Sequence, residues 1–187
     1  NDQACTYTAG CAECPAGKYV TTTGSNEVSD CTACPVGKWL ATTGSSTSAA
    51  CISCVAGKYQ PNIARTAVSD CIDCGAGKYG LTLASSTETD CIDCAAGKFS
   101  SQTGLTGDDQ ESLCTACPAG KYSETTGNTA STACISCVPG TYAADIANTA
   151  PNDCIECSAG TYSATMGGAA ASVCINCVAG KWSATTG

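Results

Sequence analysis

Apolar side chains recur in short clusters along this chain, without the 3.6-residue spacing of an amphipathic helix. Each cluster holds an aromatic residue and commonly an isoleucine. A stretch rich in Ser, Thr, Ala and Gly separates it from the next cluster, as at residues 20–24. Such stretches are typical of turns and short strands. The pattern therefore predicts loops joined by strands of about two or three residues, and no long helix.

The clusters belong to one repeated motif, Cys-x-x-Cys-x-x-Gly-Lys-aromatic, which first occurs at residues 11–19. The motif returns every 20 residues, except between Cys91 and Cys114, where the step is 23. This regularity is typical of a linear array in which each unit packs on its neighbours. We expect an irregular segment at residues 1–10 and nine tandem repeats over residues 11–187, the last one incomplete, with a three-residue insertion within residues 95–113.

Three positions of the motif have predicted structural roles. Glycine is the third residue after the second cysteine of every repeat, which indicates a tight turn with positive φ. The aromatic residue lies two places later. Because neighbours on a strand face opposite ways, we expect it to pack inward against cystines while the preceding residue, usually Lys, faces water. An isoleucine between the cysteines, such as Ile52, is expected in the same thin core. The predicted core aromatics are Tyr19, Trp39, Tyr59, Tyr79, Phe99, Tyr122, Tyr142, Tyr162 and Trp182.

The composition shows that so thin a core cannot hold the chain together alone. Val, Ile, Leu and Phe make up only about 12% of the residues, below the roughly 20% that even weakly folding sequences carry. The 19 cysteines among 187 residues have the density of a crosslinked scaffold. We therefore predict a small disulfide-rich fold, a linear tandem-repeat rod of about 20-residue units, in an extracellular or cell-surface location.

Charge and residue choice narrow the function classes. The net charge of −8 argues against a nucleic-acid partner, and the lack of histidine excludes histidine-dependent catalysis and ligation. The sequence shows no catalytic constellation, and no apolar run approaches the roughly 18 residues of a membrane span. We predict no enzyme activity, no cofactor and no metal site. Any secretory leader or anchor is expected outside this segment.

The cysteines permit several arrangements, and spacing alone does not decide between them. A zinc ribbon has similar spacing, but nine equal pairs do not divide into four-ligand sites. A thioredoxin-like redox motif needs a βαβ setting, which the pattern lacks. We expect the second cysteine of each repeat to join the first of the next, because closing Cys-x-x-Cys on itself strains the bond. Cys177 then stays unpaired in the segment, and Cys5 of a following subunit is a less favoured partner for it. The expected pairs are Cys5–Cys11, Cys14–Cys31, Cys34–Cys51, Cys54–Cys71, Cys74–Cys91, Cys94–Cys114, Cys117–Cys134, Cys137–Cys154 and Cys157–Cys174.

Acids and hydroxyls supply further candidate features. Paired acids such as Asp70 and Asp73 are a candidate Ca²⁺ set, although a solvated edge that pairs with the lysines is the favoured interpretation. The sequence has no Asn-x-Ser/Thr acceptor, but Ser and Thr clusters are candidate O-glycan sites in a secreted protein. The candidate hydroxyls are Thr21, Thr22, Thr23, Ser45, Ser46 and Thr47.

The motif resembles known extracellular modules. The run Cys-Pro-Ala-Gly-Lys-Tyr at residues 14–19 and 117–122 resembles the opening of tumour-necrosis-factor-receptor cysteine-rich modules. The whole unit resembles the ephrin-receptor-like cysteine-rich repeat more closely, and it is similar to the Cys-x-x-Cys surface antigens of protists. The resemblance covers residues 11–182 and implies an extracellular rod with the pairing between repeats described above.

Three function hypotheses follow. The first is a structural extracellular protein that forms a disulfide-chained rod or filament of a surface coat, fibre or flagellar-hair-like appendage. Its expected partners are other copies or a longer polymer of the same repeats, with glycans as a second class. The alternative is a receptor or adhesion ectodomain for a protein or glycan ligand, to which the acidic insertion near Asp108 is the only pointer. The third is a metal-storage protein.

Overall fold

A computed structural model describes residues 11–107 and 113–186 of the chain. The segment at residues 1–10, with its predicted Cys5–Cys11 bridge, and residues 108–112 of the insertion lie outside the described residues. The nine-repeat organisation as a whole therefore stays a prediction.

The described residues form very short strands and single turns of 3₁₀ helix. The strands are β1 (Lys18–Tyr19), β2 (Thr32–Ala33), β3 (Lys38–Trp39), β4 (Ile52–Ser53), β5 (Lys58–Tyr59), β6 (Ile72–Asp73), β7 (Lys78–Gly80), β8 (Ile92–Asp93), β9 (Lys98–Phe99), β10 (Leu105–Thr106), β11 (Thr115–Ala116), β12 (Lys121–Tyr122), β13 (Ile135–Ser136), β14 (Thr141–Tyr142), β15 (Ile155–Glu156), β16 (Thr161–Tyr162) and β17 (Ile175–Asn176). The 3₁₀ helices are η1 (Val28–Asp30), η2 (Ser48–Ala50), η3 (Val68–Asp70), η4 (Glu88–Asp90), η5 (Ser131–Ala133), η6 (Pro151–Asp153) and η7 (Ala171–Val173). The prediction of a small disulfide-rich repeat fold with two- and three-residue strands is confirmed for these residues.

Each Lys-aromatic or Thr-aromatic strand pairs with strands of the following repeat. β3 runs antiparallel to β4, so that Trp39 lies opposite Ile52. On its other side, Trp39 forms a parallel bridge with Arg65. In the repeat with the insertion this second contact grows into a strand, and β10, β7 and β8 make a three-stranded sheet. Neither strand of such a pair is long enough to be stable alone, so the sheets depend on the stacking of the repeats.

The chain divides into two compact units. The first contains the described residues up to Asp73 together with Thr82–Asp90, and the second contains Cys74–Leu81 together with the described residues from Cys91 onward. Within the first unit, the Gly37 amide donates to the Gln60 carbonyl at 2.8 Å, and the Gly37 carbonyl accepts from the Cys54 amide at 2.8 Å. Within the second unit, Gly120 makes the equivalent bonds, to the Ala143 carbonyl at 2.8 Å and from the Cys137 amide at 2.9 Å. The motif glycine is thus the point at which one repeat is hydrogen-bonded to the next.

The motif glycine has the predicted left-handed backbone, with a φ of +75° at Gly37. A second reason for glycine was not visible in the sequence. A Cβ at position 37 would lie 2.1 Å from the carbonyl oxygen of Ala84, which belongs to the repeat after next. Any side chain would therefore push two stacked turns apart, so both the turn and the stacking require glycine.

The predicted aromatic core needs correction. Tyr79 is buried, most of the other aromatics are half-buried, and Tyr162 and Trp182 are 47% and 82% exposed. The prediction is therefore wrong for Tyr162 and Trp182, and it holds fully only for Tyr79 within the described residues. Tyr79 forms a buried cluster with Cys94 and Cys114, against which Leu105 and Leu113 pack.

The prediction of a buried isoleucine between the cysteines is also wrong. Ile52 is 50% exposed, and the isoleucines at the same position of other repeats are exposed to a similar degree. The buried side chains are instead the second cysteine of each pair and the residue after the aromatic, such as Cys34 and Leu40. Backbones that approach as closely as Gly37 and Ala84 leave room for little besides a cystine and one modest side chain. In most repeats the aromatic and the isoleucine therefore lie opposite each other across the strands, at the edge of this thin core instead of inside it.

Candidate functional site

The most regular feature of the molecule is its series of disulfides. The structure brings together Cys14–Cys31, Cys34–Cys51, Cys54–Cys71, Cys74–Cys91, Cys94–Cys114, Cys117–Cys134, Cys137–Cys154 and Cys157–Cys174, the same pairs as those expected above. Their Cα–Cα distances all lie between 5.6 and 5.8 Å, within the normal range for a cystine. Cys11 is also disulfide-bonded, and Cys177 has a half-buried free thiol.

One sulfur of each described bridge is shielded from solvent. The second cysteines, such as Cys54 and Cys117, are almost fully buried. Reduction requires a thiolate to approach a disulfide sulfur, and burial restricts that approach. The arrangement is suited to a persistent crosslink rather than to thiol exchange.

Two of the described strand pairs carry a second feature, a cross-strand ion pair between a lysine and an acid. In the first unit, Lys58 lies opposite Asp73, and its Nζ donates to Asp73 Oδ1. In the second unit, Lys78 lies opposite Asp93 with an Nζ–Oδ1 distance of 2.8 Å. The lysines are half-buried, so their stems lie along the surface instead of extending into water. This is the solvated edge that the sequence favoured over a Ca²⁺ set.

The acids that precede the first cysteine of a repeat have a different role, which sequence reasoning missed. Asp70 Oδ2 accepts hydrogen bonds from the amides of Thr66 and Ala67, both at 3.0 Å. These bonds cap the 3₁₀ helix η3 and hold the pKa of Asp70 below its usual range. Asp30, Asp90 and Asp153 accept equivalent bonds. The available signal was an acid directly before the first cysteine in these four repeats, four residues after Asn, Ser or Thr.

Asp70 and Asp73, the proposed Ca²⁺ pair, are thus engaged separately, one with backbone amides and the other with a lysine. Within the described ranges, His, Cys, Asp and Glu nowhere form a group of three that could hold a metal ion.

The candidate O-glycan residues differ in accessibility. Thr21, Thr22 and Thr23 are exposed, as are Ser46 and Thr47. Thr47 Oγ1, however, accepts from the Ala49 amide as the cap of η2, and half-buried Ser45 bridges to Tyr19 through its backbone. Glycosylation of any of them remains a prediction.

A groove in the second unit lies beside the β14–β15 pair, in which a threonine instead of a lysine lies opposite the acid. Its volume is about 660 Å³, and its lining includes Tyr122, Val138, Thr141, Pro151, Ile155 and Glu156. Thr141 occupies the position that holds lysine in most repeats, and it lies opposite Glu156. The groove therefore combines an apolar wall with a carboxylate at one side.

Comparison with known proteins gives one family. Residues 42–91 match the model of the family described as tyrosine-protein kinase ephrin type A/B receptor-like, which is about a quarter of the chain. No curated protein matches the chain significantly. In the residues that the structure describes, no helix has the length and apolar character needed to cross a membrane.

The matched region contains the Cys54–Cys71 bridge and the β5–β6 pair. Repeats outside the match have the same bridge spacing and the same strand register, as in Cys137–Cys154 and the β14–β15 pair. Residues 42–91 are thus similar to the ephrin-receptor-like cysteine-rich repeat, and the described repeats outside the match share their bridge spacing and strand register.

Proposed function

We propose that the chain is a structural extracellular protein, whose repeats form a disulfide-chained rod or filament of a cell-surface coat, fibre or flagellar-hair-like appendage. The observation that carries the proposal is the uniformity of the repeats. Every described bridge between them has a Cα–Cα distance of 5.6 to 5.8 Å, and the glycine hydrogen bonds recur from repeat to repeat. A load-bearing polymer needs equivalent joints along its length, whereas a ligand site needs a distinctive one.

The cystines support a secreted or surface location, because disulfides persist in oxidising compartments and are rare in the cytosol. They also suit a structural role, since a covalent link between neighbouring repeats resists unfolding under load. The partners that fit best are further copies of the same repeats.

A receptor or adhesion ectodomain is the second candidate, and one specific observation favours it. The repeat that carries the insertion has the extra strand β10, which pairs with β7 of the preceding repeat, where Tyr79 is buried. A distinctive module of this sort is what ligand recognition requires.

The two candidates can be separated in cells that express the full-length protein. Gold-labelled antibody against the folded repeats should decorate coats or fibres on unpermeabilised cells, and disruption of the gene should remove those structures. A matched strain with the insertion shortened, so that the Cys91-to-Cys114 step becomes 20 residues, should keep them. Intact fibres after gene disruption would overturn the structural proposal, and loss of cell adhesion in the shortened strain alone would favour the receptor.

A further inference from the structure

The Lys58–Asp73 pair shows how a lysine side chain packs on the surface of a repeat. In the repeat of β5, the Lys58 stem lies along the surface and its ammonium reaches Asp73 on the neighbouring strand. The repeat of β14 has the acid, Glu156, but Thr141 stands in place of the lysine. This strand pair therefore has a carboxylate, that of Glu156, but no lysine opposite it.

Thr141 does not substitute for the missing ammonium. Its Oγ1 donates to the Val138 carbonyl at 2.8 Å, within its own turn. The Glu156 side chain is exposed and accepts a hydrogen bond from the hydroxyl of Thr186. A neutral hydroxyl leaves the carboxylate charge uncompensated, so Glu156 retains the capacity to bind a cation.

The groove beside Glu156 has the form of a lysine site. Val138, Pro151 and Ile155 provide an apolar wall for a methylene stem, and the Tyr122 ring lies in the same lining. Lysine side chains commonly place their stems on apolar surface while the ammonium meets a carboxylate or an aromatic ring. The equivalent positions in the repeats of Lys58 and Asp73 hold the same combination of valine, isoleucine and acid, as Val55, Ile72 and Asp73.

We propose that this groove receives a lysine side chain from a second copy of the chain, which would be a lateral contact in the fibre; the inference rests on the proposed structural function. Charge complementarity favours a second copy as the occupant. Lys38 and Lys121 lie opposite Ser53 and Ser136, so the copy carries lysines without a carboxylate across the strand. The contact would also cover Ile155, which is 52% exposed.

The first test is the self-association of the secreted, disulfide-intact chain, measured by sedimentation velocity over a concentration series. Thr141→Lys supplies the lysine within the same repeat and should weaken association about fivefold, the effect of losing one exposed ion pair. Thr161→Lys is the matched control, because it adds the same charge opposite Asn176 and should not weaken association. Equal weakening by both variants, or by neither, would overturn the inference.

The second test locates the contact. Nitrogen-15-labelled and unlabelled copies are mixed and treated with a carbodiimide, which links carboxylates to amines in direct contact, and the linked peptides are identified by mass spectrometry. Glu156 should link to a lysine peptide of the other isotope, while Lys58 and Asp73 link within one copy as an internal control.

The outcomes distinguish this inference from the function on which it rests. Association without any intermolecular link at Glu156, when the internal control has formed, overturns the inference and leaves the fibre proposal standing. A chain that stays monomeric at every concentration overturns the lateral contact, and it counts against the self-associating fibre as well.

Discussion

Three alanines among the residues that the structure describes have a backbone conformation that alanine disfavours. Ala64, Ala84 and Ala147 have φ between +57° and +59°, in a position where other repeats place glycine, as at Gly44 with φ of +66°. The left-handed region costs an L-residue about 1–2 kcal/mol, only partly offset by the greater freedom of glycine in the unfolded chain. We expect Ala64→Gly to stabilise the protein by about 0.5–1 kcal/mol, measured as a higher guanidinium midpoint with the disulfides intact.

The control for this prediction is Ala56→Gly in the same repeat. Ala56 lies outside the left-handed region, so glycine there should lower the midpoint. A lower midpoint for both variants would show that the backbone at position 64 is not strained.

The Asp90 cap gives a pH-dependent prediction. The amides of Ser86 and Thr87 donate to Asp90 Oδ2 and lower the pKa of this carboxyl. Because the folded pKa lies below the unfolded value of about 3.9, the stabilisation is fully present above that pH. It is lost as the pH falls through the folded pKa. Asp90→Ala should therefore lower the melting temperature at pH 7, and the difference from the wild type should shrink below about pH 4.

Glu88→Ala is the matched control for the cap. Glu88 lies in the same 3₁₀ turn, η4, but its carboxylate accepts none of the amide bonds that define the cap. A loss of melting temperature as large as that of Asp90→Ala would assign the effect to general charge instead of capping.

At the scale of one strand pair, substitutions at a buried and at an exposed apolar residue should differ in their cost to stability. Leu40 is 3% exposed and packs against Cys34 and Cys51, whereas Ile52 is 50% exposed. Leu40→Ala should cost about 2–3 kcal/mol through lost burial and the cavity left behind. Ile52→Thr should cost less than about 1 kcal/mol, because threonine keeps the β-branched shape on a strand that faces water.

Urea unfolding of the two variants, with disulfides intact, checks this contrast. The reverse order of costs would mean that the isoleucine and not the leucine belongs to the core, as the sequence pattern had indicated.

The strand pairs also show what the sequence could and could not predict. The sequence correctly predicts positive φ at the motif glycines, because positive φ is a local property and glycine is its local signal. The sequence does not predict the exposure of Tyr162, because a strand of two residues is too short for alternation to define an inner face. The better signal was the slot after the aromatic, which holds only uncharged residues such as Ser123 and Ala143 and turns out to be buried.

The groove beside Glu156 could not be predicted from the sequence, for a related reason. The position before the aromatic holds lysine in most repeats and threonine in two, but the residue that faces each one depends on strand register. The register follows from the turn of the next repeat, which only the folded chain shows.

Over the whole molecule, cohesion comes from covalent links and backbone bonds more than from apolar burial. The buried side chains include polar Gln60, Ser100 and Ser163 in the slot that Leu40 fills in another repeat. A core of this kind tolerates polar residues because each repeat is already joined to the next by a cystine and by the glycine hydrogen bonds. It also explains why the loops between joints can be rich in Ser, Thr and Ala.

Removal of a single bridge therefore should cost at least as much free energy of unfolding as the largest side-chain substitution above. Replacing both Cys117 and Cys134 with alanine opens a bridge with a sequence separation of 17 residues, and the chain-entropy model gives a loss of about 3 kcal/mol. Cys177→Ser is the control, since the Cys177 thiol is free, and it should change the midpoint by less than about 0.5 kcal/mol.

Amide hydrogen exchange adds a positional test, because repeats in an array lose order together with their neighbours. The amide of Cys137, which donates to the Gly120 carbonyl, should lose protection in the double alanine variant and keep it in Cys177→Ser. Unchanged protection at Cys137 would show that the glycine hydrogen bonds hold these repeats without the cystine.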